Sequence, residues 1–519
     1  MEGSVAWYCN VVVISILVWF ALKFLNWAWF QPKKMEKFVR KQGLKGTSYK
    51  LLFGDIKEMG RMLNEAKSKP IKVTDDMVPR VIPFYHKFFT DHHGTNFFTW
   101  LGPRLTVYIV EPALVKEVLA QNYLFQKTRG ANPLINLLVT GLAAADTDEW
   151  AKHRKIINPA FHVNKLKHMV PAYSTCCSEM INKWEEMLKN ESSCEVDVWP
   201  SLQALSGDVI SRTAFGISFQ EGNKVFELQR ELAKLVQDIL NSVNLPGSGF
   251  LPTKRNKRMR EIDREVTTLI RGVIEKRIDE MKAGGSSNDD LLGILLESNN
   301  REIKQGDKKF GLTIEEVIEE CKLFYLAGQE TTGSLLVWTM ILLAHHKNWQ
   351  ALAREEVLQV FGEKKPDVIG LNHLKTVSMI LNEVLRLYPP AQQLRRTIHQ
   401  DTKLGDITLP AGSSIHLNIL LLHYDRVSWG DDAREFNPQR FSEGVSKATN
   451  GKAAYMPFGG GPRICVGQNF ALMEAKLALA MILQHFYFDL SPSYSHSPRC
   501  IVTLQPEYGA HLILHKIKG

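Results

Sequence analysis

The sequence predicts a mainly α-helical fold with a small β region, carried behind one N-terminal membrane-crossing helix. Three observations lead there. An apolar run occupies residues 5–30, capped helical patterns dominate the rest, and strand-like alternation appears only in short pieces late in the chain. The 519 residues are 45% hydrophobic and 23% charged, a globular composition that excludes disorder, collagen and a disulfide-stapled miniprotein.

The first element runs from Val5 to Phe30 and contains VVVISILVWFAL. At about 1.5 Å per residue such a helix crosses a hydrocarbon core of about 30 Å. Glu2 and no basic side chain precede it, and no small-x-small cleavage site follows before the basic run. A retained anchor is therefore expected instead of a secretory signal. Residues 31–60 carry eight basic side chains (Lys33, Lys34, Lys37, Arg40, Lys41, Lys45, Lys50, Lys57) against three acidic ones, which places more than half of the net charge of +9 there. Basic residues just past an anchor keep the following domain in the cytosol. The partner implied by the charge is then an anionic membrane face and not nucleic acid. The seven cysteines include no C-x-x-C pair, so neither a disulfide framework nor a zinc ribbon fits. No repeat, low-complexity tract or long Pro-rich linker divides the remainder. The chain reads as a tail (1–4), an anchor (5–30), a basic juxtamembrane linker (31–60) and one large domain (61–519).

Within that domain the clearest helix opens with Thr313 and Glu316 in capping-box spacing and continues for some thirty residues, about 50 Å. Its length and all-round apolarity predict a helix through the centre of the molecule. WQALAREEVLQVF forms another helix that stops at Gly362, and NHLKTVSMILNEVLRLY forms one that stops at Pro389-Pro390. DITLPAGSSIHLNI reads as two short strands around a Pro-Ala-Gly turn.

The sharpest signal is FGGGPRICVG at 458–467, where Phe458, Gly461, Arg463, Cys465 and Gly467 fit F-x-x-G-x-R-x-C-x-G. A chance match in a chain of this length is on the order of one in ten thousand. Glycines 459–461 accept positive φ and let the backbone pass close to a flat ligand. Cys465 lies just before a helix, whose positive end and free N–H groups favour the thiolate. Three readings stand side by side: an axial thiolate on haem iron, a buried structural thiol, and a nucleophile. The nucleophile lacks a histidine in the motif to act as its base. A thiolate ligand donates the electron density that promotes O–O cleavage, and Arg463 would pair with a haem propionate.

On these residues the chain resembles the cytochrome P450 family of haem-thiolate monooxygenases, and the resemblance assigns roles to further motifs. Ala327-Gly328-Gln329-Glu330-Thr331-Thr332 matches the small-Gly-x-acid-Thr segment of a central helix opened for dioxygen. Gly328 removes bulk, while the Thr331 hydroxyl and the Glu330 acid relay protons. Glu383 and Arg386, at i, i+3, would form a buried network with Arg440 of FNPQRF that serves folding and haem retention. The same spacing at Glu227/Arg230 and Glu261/Arg264 reads as solvated helix faces. Trp150 and Arg154, at i, i+4, and Arg396 of LRRT would hold propionates. The segments WAWFQPKKMEKFVRKQG, WAKHRKIINPAF, DVISRTAFG, ECKLFYLAGQETT, REEVLQVFG and FNPQRF are similar to the plant 72 family of iridoid, triterpenoid, steroidal and gibberellin oxidases. Two features depart from common patterns. The Pro-Pro-Gly-Pro hinge is missing, and Pro462 stands where many members have an extra arginine, as in the non-A plant branch.

The resemblance implies a single-pass enzyme of the endoplasmic reticulum membrane with haem b on Cys465 and a cytosolic catalytic domain. Electrons would come from NADPH through NADPH–cytochrome reductase, with cytochrome b5 as a second donor, and the reductase would meet Lys452 and the neighbourhood of Arg463. Dioxygen and an apolar terpenoid would be the substrates. The terpenoid pocket would draw on residues 128–141 and 241–251, the helix face at Phe324 and Ala327, Gln392–Leu394, and the stretch after Cys500. Gibberellin or steroid oxidation, a reductase-independent haem-thiolate isomerase or dehydratase, and a non-catalytic haem-binding membrane protein are the alternatives. Glu330 and Thr331 speak against the isomerase.

Overall fold

Helix Glu2–Leu25 carries the N-terminal apolar run, and its side chains from Trp7 onward are exposed. The computed structural model describes residues 2–128, 132–188, 191–240, 242, 245, 247–283, 290–305 and 311–517. Beyond Leu25 the helix widens into a π turn, Asn26–Phe30, and continues as Gln31–Lys41. Trp7–Lys41 is long and apolar enough to cross a membrane, with none of its apolar window buried. A π turn breaks the regular hydrogen-bond ladder. Here the Tyr49 hydroxyl donates to the Ala28 carbonyl at 2.5 Å, and both residues are buried.

The expectation of a basic linker over residues 31–60 is corrected at this point. Val39, Leu44 and Tyr49 belong to a buried cluster with Trp100 and Leu105. The lysines of helix Gln31–Lys41 mask this because none of them is buried, while Pro32, Glu36 and Val39 on its other face are.

The strands, in chain order, are β1 (Lys45–Gly46), β2 (Phe97–Leu101), β3 (Arg104–Tyr108), β4 (Gln126–Lys127), β5 (Ser193–Asp197), β6 (Gln393–Thr397), β7 (Thr402–Leu404), β8 (Ile407–Leu409), β9 (Ser414–Asn418), β10 (Phe486–Leu490), β11 (Pro498–Cys500), β12 (Leu504–Pro506) and β13 (His511–Lys516). The main sheet has the order β1-β2-β3-β9-β6-β4. The two strands expected around the Pro-Ala-Gly turn exist as β8 and β9 but belong to different sheets, β8 pairing with β7 and β9 with β3 and β6.

The central helix is Ile314–His345, and its capping box of Thr313 and Glu316 is formed in both directions. Helix Val198–Phe215 crosses it closely. A Cβ on Gly328 would stand 2.6 Å from Ile210, and one on Gly333 would stand 2.8 Å from Gln203. The glycines thus set the approach of the two helices. Helix Lys347–Phe361 ends at Gly362 with φ +57°, as its sequence predicts. The helix expected over 372–388 is instead two, Val368–His373 and Lys375–Leu387. Its break is stabilised by Glu356, whose carboxylate accepts the Lys375, Thr376 and Val377 N–H groups at 2.7, 2.7 and 3.0 Å. Three orphan N–H donors of the second helix are satisfied from another element, which no local pattern reveals.

Candidate functional site

The cysteine loop is set first by its backbone. Cys465 N–H donates to the Phe458 carbonyl at 2.9 Å, and Gly459 and Gly461 bend the chain with φ of +73° and +65°. A Cβ on Gly461 would lie 2.2 Å from the Leu119 carbonyl oxygen, so no other residue fits. The close neighbour of Gly461 is thus the end of helix Pro112–Ala120. Helix Gln468–His485 starts just beyond Cys465. Burial among protein atoms pushes that thiol up, while the Gly467 N–H and the Arg154 guanidinium draw it down.

Helix Thr147–Ile157 clamps this loop. Arg154 donates to the Ile464 carbonyl at 2.8 Å, and the Arg463 guanidinium lies 5.1 Å from the centre of the Trp150 ring. Arg463 also bonds the Ala145 carbonyl and, at 3.0 Å, the Asp146 carboxylate. On the neighbouring strands Lys127 and Arg396 are direct partners. Burial, with repulsion from its cationic neighbours, lowers the Lys127 ammonium to about 7 and Arg396 to about 10. Asp146 is the carboxylate that acts on all three cations. Three basic side chains face one carboxylate, a surplus of up to two positive charges when Lys127 is protonated, and among the described residues the Arg463 Nε has no partner. A buried surplus of that size suits a dianion. Haem brings two carboxylates and an iron that accepts one thiolate, so the donor set fits it. Cys465 would ligate the iron, and Arg463, Arg396, Lys127 and Trp150 would face the carboxylates.

Sequence reasoning missed Lys127 and Asp146. Asp146 stands one turn ahead of Trp150 and carries that faint signal, whereas a lone lysine in a short strand carries none. Arg463 itself is turned inward, its side chain 3% exposed. Lys452 is exposed, with its ammonium on the Val427 carbonyl at 3.1 Å.

On the central helix, Ala327 is exposed and Gly328 and Thr331 half-buried, while the residues that follow are buried. The Thr331 hydroxyl donates to the Ala327 carbonyl at 2.7 Å. Phe161 ties this helix to the cysteine loop, 5.6 Å from the Phe324 ring and beside Gly467. Glu330 departs around the helix from Thr331. Its buried carboxylate accepts from Thr503 at 3.2 Å and Gln505 at 2.8 Å, and burial raises its pKa.

The structure also brings together Glu383, Arg386 and Arg440. Arg386 makes two 2.7 Å bonds to Glu383, and Arg440 reaches the same carboxylate at 3.2 Å. Glu227, Arg230, Glu261 and Arg264 lie on exposed faces.

A cavity of about 1150 Å³ borders the cationic cluster at Lys127 and Ala145. Its walls include parts of the expected pocket: Ile135–Gly141 without Leu137, Ser242, Gln392–Leu394 and Cys500. Residues 129–131, 241, 243, 244 and 246 of that expectation lie outside the described residues. Phe324 and Ala327 are not in this wall, where the central helix presents Glu315, Glu316 and Glu319. At the other end the cavity reaches Trp27, Gln31 and Met35 beside the anchor.

Residues 62–511 match the family model described as Cytochrome P450. Cytochrome P450 CYP72A219 of Panax ginseng is 59% identical over 98% of this chain and 98% of its own length. Cytochrome P450 72A15 of Arabidopsis thaliana is 52% identical over the whole of both chains. Secologanin synthase 1 of Catharanthus roseus is 51% identical over 98% of this chain and 97% of its own length.

Proposed function

Because the chain belongs to the cytochrome P450 family, within its plant 72 family, and is therefore a haem-thiolate monooxygenase, we propose that it hydroxylates a terpenoid with electrons passed from NADPH by a reductase. The observation that carries the choice of substrate is the identity of 51%, end to end, with a relative named for making secologanin, itself a terpenoid. The largely aliphatic cavity walls at Met59, Ile82, Leu138 and Val236 suit such a scaffold. The reading includes residence in the endoplasmic reticulum membrane through the N-terminal helix, with the catalytic domain in the cytosol, supported by the basic residues that follow the apolar run.

When bound, haem supplies the chemistry that splits dioxygen, inserting one atom into a C–H bond and releasing the other as water. The chain supplies the rest. Cys465 would give the iron its thiolate, and the loop bond from its N–H to the Phe458 carbonyl holds its backbone in place. Thr331, whose hydroxyl rests on the Ala327 carbonyl, would be the group that passes a proton towards dioxygen. Glu330, held protonated more readily by burial, is the acid behind it on the side of the β11–β12 hairpin. Glu383, Arg386 and Arg440 keep the segment before the cysteine loop in place.

Microsomes containing this chain and a plant reductase test the reading, offered an iridoid, a triterpenoid and a gibberellin. The expected result is an NADPH-dependent product one oxygen atom heavier from one of them. Turnover of a hydroperoxide without NADPH, and no oxygenation of any scaffold, would replace the monooxygenase reading by that of an isomerase.

A further inference from the structure

Most of the charged groups that line the cavity have partners, Arg80 and Arg499 both meeting Glu507, at 3.1 and 3.3 Å. Its acids are matched: Glu315 pairs with Arg271 at 3.4 Å, Glu316 with Lys152 at 2.7 Å and Glu319 with Lys322 at 2.8 Å. Arg104 and Arg395 line the same cavity, and among the described residues neither guanidinium makes an ion pair or hydrogen bond.

Strand alternation explains why both face one way. Tyr108 lies opposite His416, and His416 opposite Arg395, so the three share one face of the main sheet. Arg104 is four residues before Tyr108 on β3 and shares that face, whereas Arg396 points to the opposite side with Lys127. The rings of Tyr85 and His416 continue the wall, with the buried Tyr108 ring between them at centroid distances of 4.8 and 5.1 Å. His416 is 1% exposed, and its Nδ1 has no partner among the described residues. Burial, Arg395 and Arg104 together hold its imidazole neutral. Burial and Arg395 likewise disfavour the charge on Arg104.

Two neighbouring half-buried guanidiniums without a counter-ion are costly, and a neutral imidazole beside them adds an unfilled hydrogen-bonding position. A planar carboxylate meets all of this, since it takes two parallel N–H bonds from one guanidinium and offers lone pairs to the next. We propose that this sheet wall is a carboxylate subsite of the substrate cavity, in which Arg395 and Arg104 hold the acid group of a substrate whose apolar body lies against Met59, Ile82 and Leu138. The proposal rests on reading the cavity as the substrate site, and it narrows the substrate to an apolar molecule carrying an acid.

The test uses full-length holoenzyme in phosphatidylcholine nanodiscs and two matched pairs of probes: oleanolic acid with its methyl ester, and hexadecanoic acid with its methyl ester. Affinity is read by equilibrium dialysis. In at least one pair the acid binds about tenfold or more tighter than the ester, the scale of a lost charge-assisted bond. Arg395→Gln and Arg104→Gln each erase most of that preference while ester affinity stays, and Arg395→Lys keeps part of it. Equal binding of acid and ester, no saturable binding of either acid, or a preference that survives both glutamine variants overturns the subsite. So does a loss, in those variants, of binding to anionic vesicles with the acid-to-ester ratio unchanged, which would assign the arginines to the membrane surface. Acid preference for hexadecanoic acid with no binding of either oleanolic form keeps the subsite and removes the terpenoid reading. Both oleanolic forms binding alike, with no acid preference in the hexadecanoic pair, does the reverse. Should a glutamine variant fail to fold, rising ionic strength applied to the unaltered enzyme must shrink the acid preference and leave the ester unaffected.

Discussion

Arg386 and Glu383 form a doubly hydrogen-bonded ion pair with neither side chain exposed at all, their two N–O distances both 2.7 Å. The remaining donors of Arg386 go to the His423, Ala433 and Glu435 carbonyls, which ties its helix to two segments on the way to the cysteine loop. Removing one partner of such a pair leaves the other charged and buried, at a cost of about 3–5 kcal/mol. Glu383→Ala is expected to lower the thermal midpoint and the fraction of protein that retains haem together. A variant with both unchanged would refute the structural role.

Cys465 is held in the loop by its backbone, through the bond to the Phe458 carbonyl, and not by its thiol. Cys465→Ala should therefore leave the apoprotein fold intact, as circular dichroism will report. The reduced, carbon monoxide-treated protein should lose the long-wavelength Soret band that a thiolate ligand produces. Persistence of that band in the variant would mean that another residue ligates the iron.

Lys127 carries the opposite expectation for the two forms of the protein. Without haem the ammonium is disfavoured by burial and by Arg396 and Arg463, which the single carboxylate of Asp146 does not offset, so Lys127→Met should stabilise the apoprotein. With haem present, loss of a charged hydrogen-bond donor should speed transfer of haem to apomyoglobin by roughly tenfold. Equal transfer rates for variant and parent would separate Lys127 from the haem carboxylates.

Thr331 and Glu330 should fail differently. The Thr331 hydroxyl rests on the Ala327 carbonyl on the accessible side of the helix. Thr331→Ala should keep haem and NADPH consumption but divert electrons to hydrogen peroxide, with Thr331→Ser restoring most of the coupling. Glu330→Gln keeps hydrogen bonding to Thr503 and Gln505 but loses the acid, so product formation should slow without loss of fold. Unchanged coupling in Thr331→Ala would argue against a proton relay through its hydroxyl.

Much of the site is legible because its signals are local. The capping box at Thr313 and Glu316, the bend at Gly459 and Gly461, and the i, i+3 pair of Glu383 and Arg386 each require only neighbours in sequence. What the sequence hides depends on register and on distant partners. Arg395 and Arg396 are adjacent in the chain, yet strand alternation sends one to the cavity and the other to the cationic cluster. Glu356 breaks a helix that begins nineteen residues after it. Tyr49 completes the π turn at Ala28 from beyond the next helix, so a stretch that reads as a basic linker is folded. Composition also misleads about the cavity, since its aliphatic lining comes from helices and loops distant in sequence, as Met59, Leu138 and Val236 show.

Glu474 offers a pH test that does not involve the cysteine loop. It lies midway along helix Gln468–His485 and is fully buried, and it accepts a 2.8 Å bond from the Ser206 hydroxyl. Tyr173 and Cys177 of helix Val170–Met187 are the titratable groups that feel its charge. Burial raises its carboxyl from the ordinary 4.5 to about 8. Between those two pH values the unfolded chain has released the proton and the folded chain keeps it, so unfolding releases a proton. Stability contributed by this group is complete below about pH 4.5, falls as pH rises, and is lost near pH 8. The slope is roughly 1 kcal/mol per pH unit for a single proton. Glu474→Gln keeps an acceptor for Ser206 and removes the titration. Its thermal midpoint should therefore exceed that of the parent by more at pH 8 than at pH 5.5. A difference between the two proteins that stays constant across this range would show that Glu474 is ionised within the fold.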